Sequence, residues 1–246
     1  MCFVFLYNLE ILKPDPFSEE FIAHDVQGDF LSSDFTGSEG VFSQSFKYLG
    51  RGQQSVAFVS DDGKYVLKFF LCKVPRFLTK IEVPFYKRRM KRKFRINLQK
   101  ALKNYDIAFR ELKDETALIG VHLRSEEINI PSCKLRDWGG VECSVDLNRA
   151  VFVLQYYCDV LDEQYSKMNS EDVFARLRAF FEQRSQKGYT DLKRRFNPKN
   201  FGFRGEKIVM IDPGNLEYVE SLKTSPDIEV ERIIKFAKRR LEERSL

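Results

Sequence analysis

The chain has 246 residues, 43% of them hydrophobic and 31% charged, with a formal net charge of +5. That composition supports a sizeable core, as one large domain or one domain of two lobes, and excludes a disordered or fibrous class. Five cysteines (Cys2, Cys72, Cys133, Cys143, Cys158) at irregular spacing with no CxxC pair argue against a disulfide framework or a zinc site, so a reducing, cytoplasmic setting is expected, with secretion into a host cell left open.

No apolar run reaches the eighteen or so residues that a bilayer span needs, and the apolar start Met1 to Tyr7 lacks the basic flank and cleavage site of a signal peptide. Residues 8 to 45 are rich in Asp, Ser, Gly and Pro and show neither helical nor strand periodicity. They read as part of an irregular leader, 1–45, that packs through Phe17, Phe21, Phe30, Phe35 and Phe42. The pattern then sharpens. Phe46 to Leu49 leads into Gly50-Arg51-Gly52-Gln53-Gln54-Ser55, a strand follows at Val56 to Val59, Ser60 to Lys64 turns the chain, and Tyr65-Val66-Leu67-Lys68-Phe69-Phe70 makes a third strand. Glycines between strands let backbone amides approach a phosphate with no Cβ in the way, and Lys68 can reach the same anion; a Gly-containing hairpin is the plainer alternative. A lysine inside so apolar a strand costs free energy unless it points to water or meets an anion.

Residues 73 to 103 hold twelve Lys or Arg against one acid, Glu82, a local charge of +11 that leaves 5 − 11, or −6, for the remainder. Seven of the twelve lie between Lys87 and Arg95. The segment reads as a basic insertion, either a solvated surface run or a patch for an acidic protein, a nucleic acid or an anionic lipid surface. Next, Leu98, Leu102, Tyr105, Phe109, Leu112, Leu118 and Ile119 recur mostly at three or four. This spacing predicts one amphipathic helix from about Leu98 to Leu123, with Glu111 and Glu115 a turn apart and either able to meet Lys68. Strands are expected at Ile128 to Leu135 and Arg149 to Tyr157, with a turn at Asp137 to Gly140 between them and a polar linker over Cys158 to Asn169.

A helix follows, with Ser170 as N-cap, Glu171 and Asp172 in its first turn, Val173, Phe174, Leu177, Phe180 and Phe181 on one face, and Gly188 as its stop. Asn200 to Arg204 and Ile208 to Ile211 then form a hairpin about Arg204-Gly205-Glu206. Antiparallel strands bring Asn200 and Asp212 to one edge, where two oxygens can grip a hard cation such as Mg²⁺; a surface hairpin with polar ends is the alternative. Ser225-Pro226-Asp227 starts a last helix with Val230, Ile233, Ile234, Ala237 and Leu241 inward.

The joint order of these features resembles the protein-kinase-like superfamily, including its aminoglycoside-kinase-like branches. Gly50-x-Gly52-x-x-Ser55 resembles the nucleotide loop, Val66-Leu67-Lys68 the phosphate-binding lysine segment, and Glu115, or else Glu111, the helix glutamate that pairs with that lysine. Leu154-Gln155-Tyr156-Tyr157 resembles the strand and hinge that hold adenine. Asn200 and Asp212 resemble the two metal-binding positions, and Asp212-Pro213-Gly214 a DFG segment with Pro in place of Phe. Gly50 to Phe70 and Asn200 to Leu216 are also similar to a kinase-like family of chlamydial proteins.

The resemblance implies an α+β, two-lobed kinase-like fold. Its N-lobe, 46–160, would hold an antiparallel sheet, one long helix and the basic insertion 73–103; its C-lobe, 161–246, would be reduced and mainly helical, with the metal-site hairpin. It implies ATP and Mg as cofactors, Gly50, Gly52, Ser55, Lys68, Gln155 and Tyr157 as nucleotide contacts, Asn200 and Asp212 as metal ligands, and Lys68, Glu115 and Asp191 in catalysis. One departure bears on chemistry. Kinases place a catalytic aspartate five residues before the metal-binding asparagine, where this chain has Arg195; the nearest upstream acid is Asp191, nine residues before. Three functions follow: a divergent phosphotransferase, a catalytically silent nucleotide- or partner-binding scaffold, and a binder of polyanions or membrane surfaces through 73–103.

Overall fold

In the computed structural model of the chain, the described residues are 17, 22–24, 26, 28–33, 35–52, 54–72, 84–124, 128, 130, 132–191, 196–213 and 216–245. Phe21, the N-terminal apolar run, residues 73–83, Arg195 and Gly214 lie outside them.

The leader is held to the body by backbone hydrogen bonds as well as by rings. Ile22 bridges Leu71 and Ser32 bridges His122; the Ala23 amide donates to Phe70 O and the Ser33 amide to Val121 O. After a single helical turn, α1 (Glu39–Phe42), three strands rich in β-branched and aromatic residues form a meander: β1 (Ser45–Arg51), β2 (Ser55–Ser60) and β3 (Tyr65–Phe70). Phe35 and Phe42 of the leader pack on Phe152, with ring centroids 5.5 and 6.1 Å away.

The long helix α2 spans Pro84–Glu111, which corrects the expected span of Leu98 to Leu123 at both ends. Lys and Arg are good helix formers, and Tyr86, Met90 and Phe94 carry the four-residue spacing of Leu98 and Leu102 back toward Pro84, with Phe94 partly buried against the core. Beyond Glu111 the chain turns at Lys113 to Glu115, and Leu118–His122 is a strand, β4; the spacing of Leu118, Ile119 and Leu123 matched a helix by coincidence. Glu115 is therefore off the helix.

Strands β5 (Cys133–Arg136), β6 (Glu142–Val145) and β7 (Phe152–Tyr156) complete a seven-stranded sheet in the order β4-β7-β3-β2-β1-β5-β6. Every neighbouring pair is antiparallel except β1 with β5. Central strand β3 lies between β2 and β7, with Lys68 opposite Ala57 and Val153. Side chains alternate across the sheet. Leu67 and Phe69 thus enter a core with Phe46, Phe58 and Phe152 on one face, while Phe70 enters the other core on the face that Lys68 shares.

The expected linker instead holds β8 (Asp159–Val160) and the helical turn α3 (Leu161–Gln164). Helix α4 (Ser170–Gln186) is capped by Asn169, one residue earlier than expected, whose Oδ1 accepts from the Glu171 and Asp172 amides. It leads into β9 (Tyr189–Asp191), the hairpin β10 (Phe201–Arg204) and β11 (Lys207–Met210), then β12 (Leu216–Tyr218) and the helix α5 (Asp227–Ser245). β8 pairs with β10, and β9 pairs with β12. The molecule is α+β: a sheet with one long helix, then a smaller, mainly helical part that carries the hairpin. Its larger core runs through both, joining Phe70, Leu102 and Val121 to Leu177, Phe181, Phe201 and Ile233. Among the described residues no helix is long and apolar enough to cross a membrane.

Candidate functional site

Lys68 is almost fully buried, and strand alternation points it at α2 and the hairpin. Its Nζ donates to the Tyr105 hydroxyl at 2.9 Å and to the carbonyl of Ile211 at 3.0 Å. Tyr105 reaches the lysine because it continues the inward stripe of α2, seven residues after Leu98 and three after Leu102. The Tyr105 hydroxyl in turn hydrogen-bonds the Asp212 carboxylate. A cation, a phenol and a carboxylate thus form one relay. Burial draws the Lys68 ammonium below its usual range, partly offset by Asp212. Burial, and then the Asp212 charge, push the Tyr105 phenol well above its usual range.

The hairpin sets the other side of the site. Phe201 pairs with Met210 and Arg204 with Lys207, around a turn where Gly205 has φ +60°. Past the last pair, the amides of Ile211 and Asp212 both donate to the Asn200 carbonyl, at 2.8 and 3.2 Å. Asn200 and Asp212 are therefore adjacent, as antiparallel pairing required. Asn197 Nδ2 donates to Asn200 Oδ1 at 3.0 Å, which fixes the amide with its oxygen as the acceptor. A carboxylate and an amide oxygen are hard donors of the kind Mg²⁺ takes, so the donor set fits that ion. Among the described residues no group of three or more His, Cys, Asp or Glu forms a separate metal site.

Other expected residues sit elsewhere. Glu115 is buried, but its Oε2 accepts from Lys187 at 2.8 Å rather than from Lys68, and Tyr105 stands where a helix glutamate was expected. The backbone at Glu115 still touches the site's frame, since its carbonyl accepts from the Met210 amide. Asp191 lies on β9, and its carboxylate forms an ion pair at 3.0 Å with fully buried Arg184. Gly50 sits at an irregularity of β1, with open space where a Cβ would be, and the Gly52 amide closes the turn onto Ser55 O at 2.8 Å. Gln155 is buried on β7. Tyr157 exposes its ring, and its amide already donates to Lys64 O, as the Tyr156 amide does to Ala117 O. Neither amide is left to meet a purine edge.

Tyr105, Lys187 and Arg184 were missed as site residues. For Tyr105 a signal existed: a buried phenol on an apolar stripe needs a partner for its hydroxyl.

No family model matches the chain, and no curated protein matches it. Among solved structures, it is similar to an ADP-bound aminoglycoside phosphotransferase, APH(2'')-Ib, at 12% identity, covering 85% of this chain and 83% of that one, with a TM-score of 0.37. It is also similar to APH(2")-IIa in a ternary complex with streptomycin and ATP, at 12% identity, covering 89% and 87%, with a TM-score of 0.32.

Proposed function

We propose that the chain binds ATP with Mg²⁺ at the Lys68–Asp212 site and transfers the γ-phosphate to an acceptor hydroxyl. The observation that carries this reading is the convergence of buried Lys68 and Tyr105 with half-buried Asn200 and Asp212, from a strand, a helix and a hairpin. Lys68 would hold the nucleotide phosphates, and Tyr105 would orient its ammonium. Asn200 Oδ1 and the Asp212 carboxylate would hold Mg²⁺, whose charge offsets that developing on the phosphates. The turn from Gly50 to Ser55 would close over the phosphates with its backbone amides. Asp191 would accept the acceptor's proton, once free of Arg184.

That last requirement favours a second reading, a nucleotide-binding scaffold without phosphoryl transfer, because a buried guanidinium already holds the Asp191 carboxylate. Two measurements separate the readings. In thermal and urea unfolding, ATP with Mg²⁺ at about 100 times its Kd stabilises the chain by about 2.7 kcal/mol, and Lys68→Ala with Asp212→Ala abolishes the effect. Absence of any such stabilisation sinks both readings. Stabilisation without ATP turnover above that of the double variant leaves the scaffold alone.

A further inference from the structure

We infer that the outward face of the first half of α2 is a docking surface for the phosphate backbone of a duplex nucleic acid. Arg88, Arg89, Arg92, Lys93 and Arg95 are all exposed there. At about 100° per residue they fall within about half of the helix circumference, over about 10 Å of its length. Arg89 and Lys93 lie opposite Leu98, Leu102 and Tyr105, which seat the same helix on the core, Arg92 lies to one side, and Arg88 and Arg95 stay exposed along the line that Leu102 continues into the core.

This face is poorly explained as a merely soluble one. Arg88 with Arg92 and Arg89 with Lys93 are like charges one turn apart, a spacing at which cations repel. The first turn of α2 carries no acid, and the helix holds none before Asp106. None of the five cations has an ion-pair partner among the described residues. Outside 73–103 the chain is net negative, as counted above, so its net positive charge comes from this region.

The shape selects the partner. A membrane-surface helix turns an apolar face to the lipid, whereas the described side chains of this half are mainly cationic, with Ile96 the one large apolar side chain exposed among them. A flat anionic surface would meet only part of so wide an arc of cations. The major groove of a B-form DNA duplex carries phosphates on both walls and admits a helix, whereas that of an RNA duplex is too deep and narrow to do so. Four of the five cations are arginine, whose planar fork pairs two oxygens of one phosphate.

The experiment is fluorescence anisotropy of the full chain with a labelled DNA duplex and the matching RNA duplex, each titrated between 50 and 200 mM salt. Five phosphate contacts, at a slope of about −0.9 per contact, weaken binding about 500-fold across that range. Arg88→Gln/Arg92→Gln/Arg95→Gln lowers low-salt affinity at least about tenfold and flattens the slope by nearly three, while its urea midpoint stays level or rises because like charges are removed. Lys235→Gln/Arg239→Gln/Arg240→Gln, an equal charge change on α5, retains binding. No duplex binding at 50 mM salt, an equal loss in both variants, or tighter capture by phosphatidylserine vesicles or polyglutamate than by either duplex overturns the inference.

Discussion

Lys68 and Tyr105 respond to pH in opposite senses. The folded-state pKa of Lys68 lies below its ordinary 10.5, so between the two values the unfolded chain holds more protons and stability rises with pH. Tyr105 has its folded-state pKa raised above 10.0; its contribution is fully present below pH 10.0 and is lost as pH climbs past it, since the unfolded phenol ionises first. Tyr105→Phe is expected to cost about 1 kcal/mol below pH 10.0, from the hydrogen bonds lost to Lys68 and Asp212, and to remove the alkaline decline. Urea midpoints of both proteins across pH 10.0 test this; parallel pH profiles would show that the phenol is not the group responsible. Spacing along the chain made Lys68, Asn200 and Asp212 visible because each breaks an apolar pattern or ends a strand. It could not reveal which acid meets which base, as Glu115 finds Lys187, 72 positions away.

Among the elements, the hairpin β10–β11 was the most readable from residues alone, because its register and its Gly205 turn are local. Its seating is not local. A Cβ on Gly202 would lie 2.9 Å from Cys158 Cβ and 3.0 Å from the Asp159 carbonyl, so β10 can press on β8 only without a side chain there. Gly202→Ala is expected to destabilise the chain by about 1–3 kcal/mol and to weaken Mg-dependent nucleotide binding more than Gly205→Asn, since Gly202 is packed near the open end of the hairpin that holds Asn200 and Asp212, whereas Gly205 sits in open space at its far turn. Calorimetric titration with ATP and Mg²⁺, read beside urea unfolding, separates the two effects; equal losses in both variants would sink the argument. Helix α2 was legible only where its stripe was apolar. Its cationic half continues the spacing through Tyr86, Met90 and Phe94, but the run of Lys and Arg around them reads as an insertion rather than as the same continuous helix.

Across the molecule, one core joins the sheet, α2 and the C-terminal helices, so the two parts should unfold together. Far-UV circular dichroism and the fluorescence of Trp138, the only tryptophan, are expected to give coincident urea transitions. Phe42→Ala, from the leader, should lower the common midpoint by an amount equivalent to about 3–5 kcal/mol. Two separated transitions, or a Phe42 variant that shifts only one probe, would mean that the parts are energetically independent.

Residue pattern alone was enough for the strands about Lys68 and the meeting of Asn200 with Asp212, because periodicity and hairpin geometry act over a few residues, while the α+β class was implied by the resemblance that the order of these features carries. Packing settled the pairings: Tyr105 rather than Glu115 against Lys68, Arg184 on Asp191, and α2 turned with its cations to the outside. Those contacts join positions far apart in the chain, and burial decides each of them, since a charge or phenol removed from water takes whichever partner the surrounding core brings within reach.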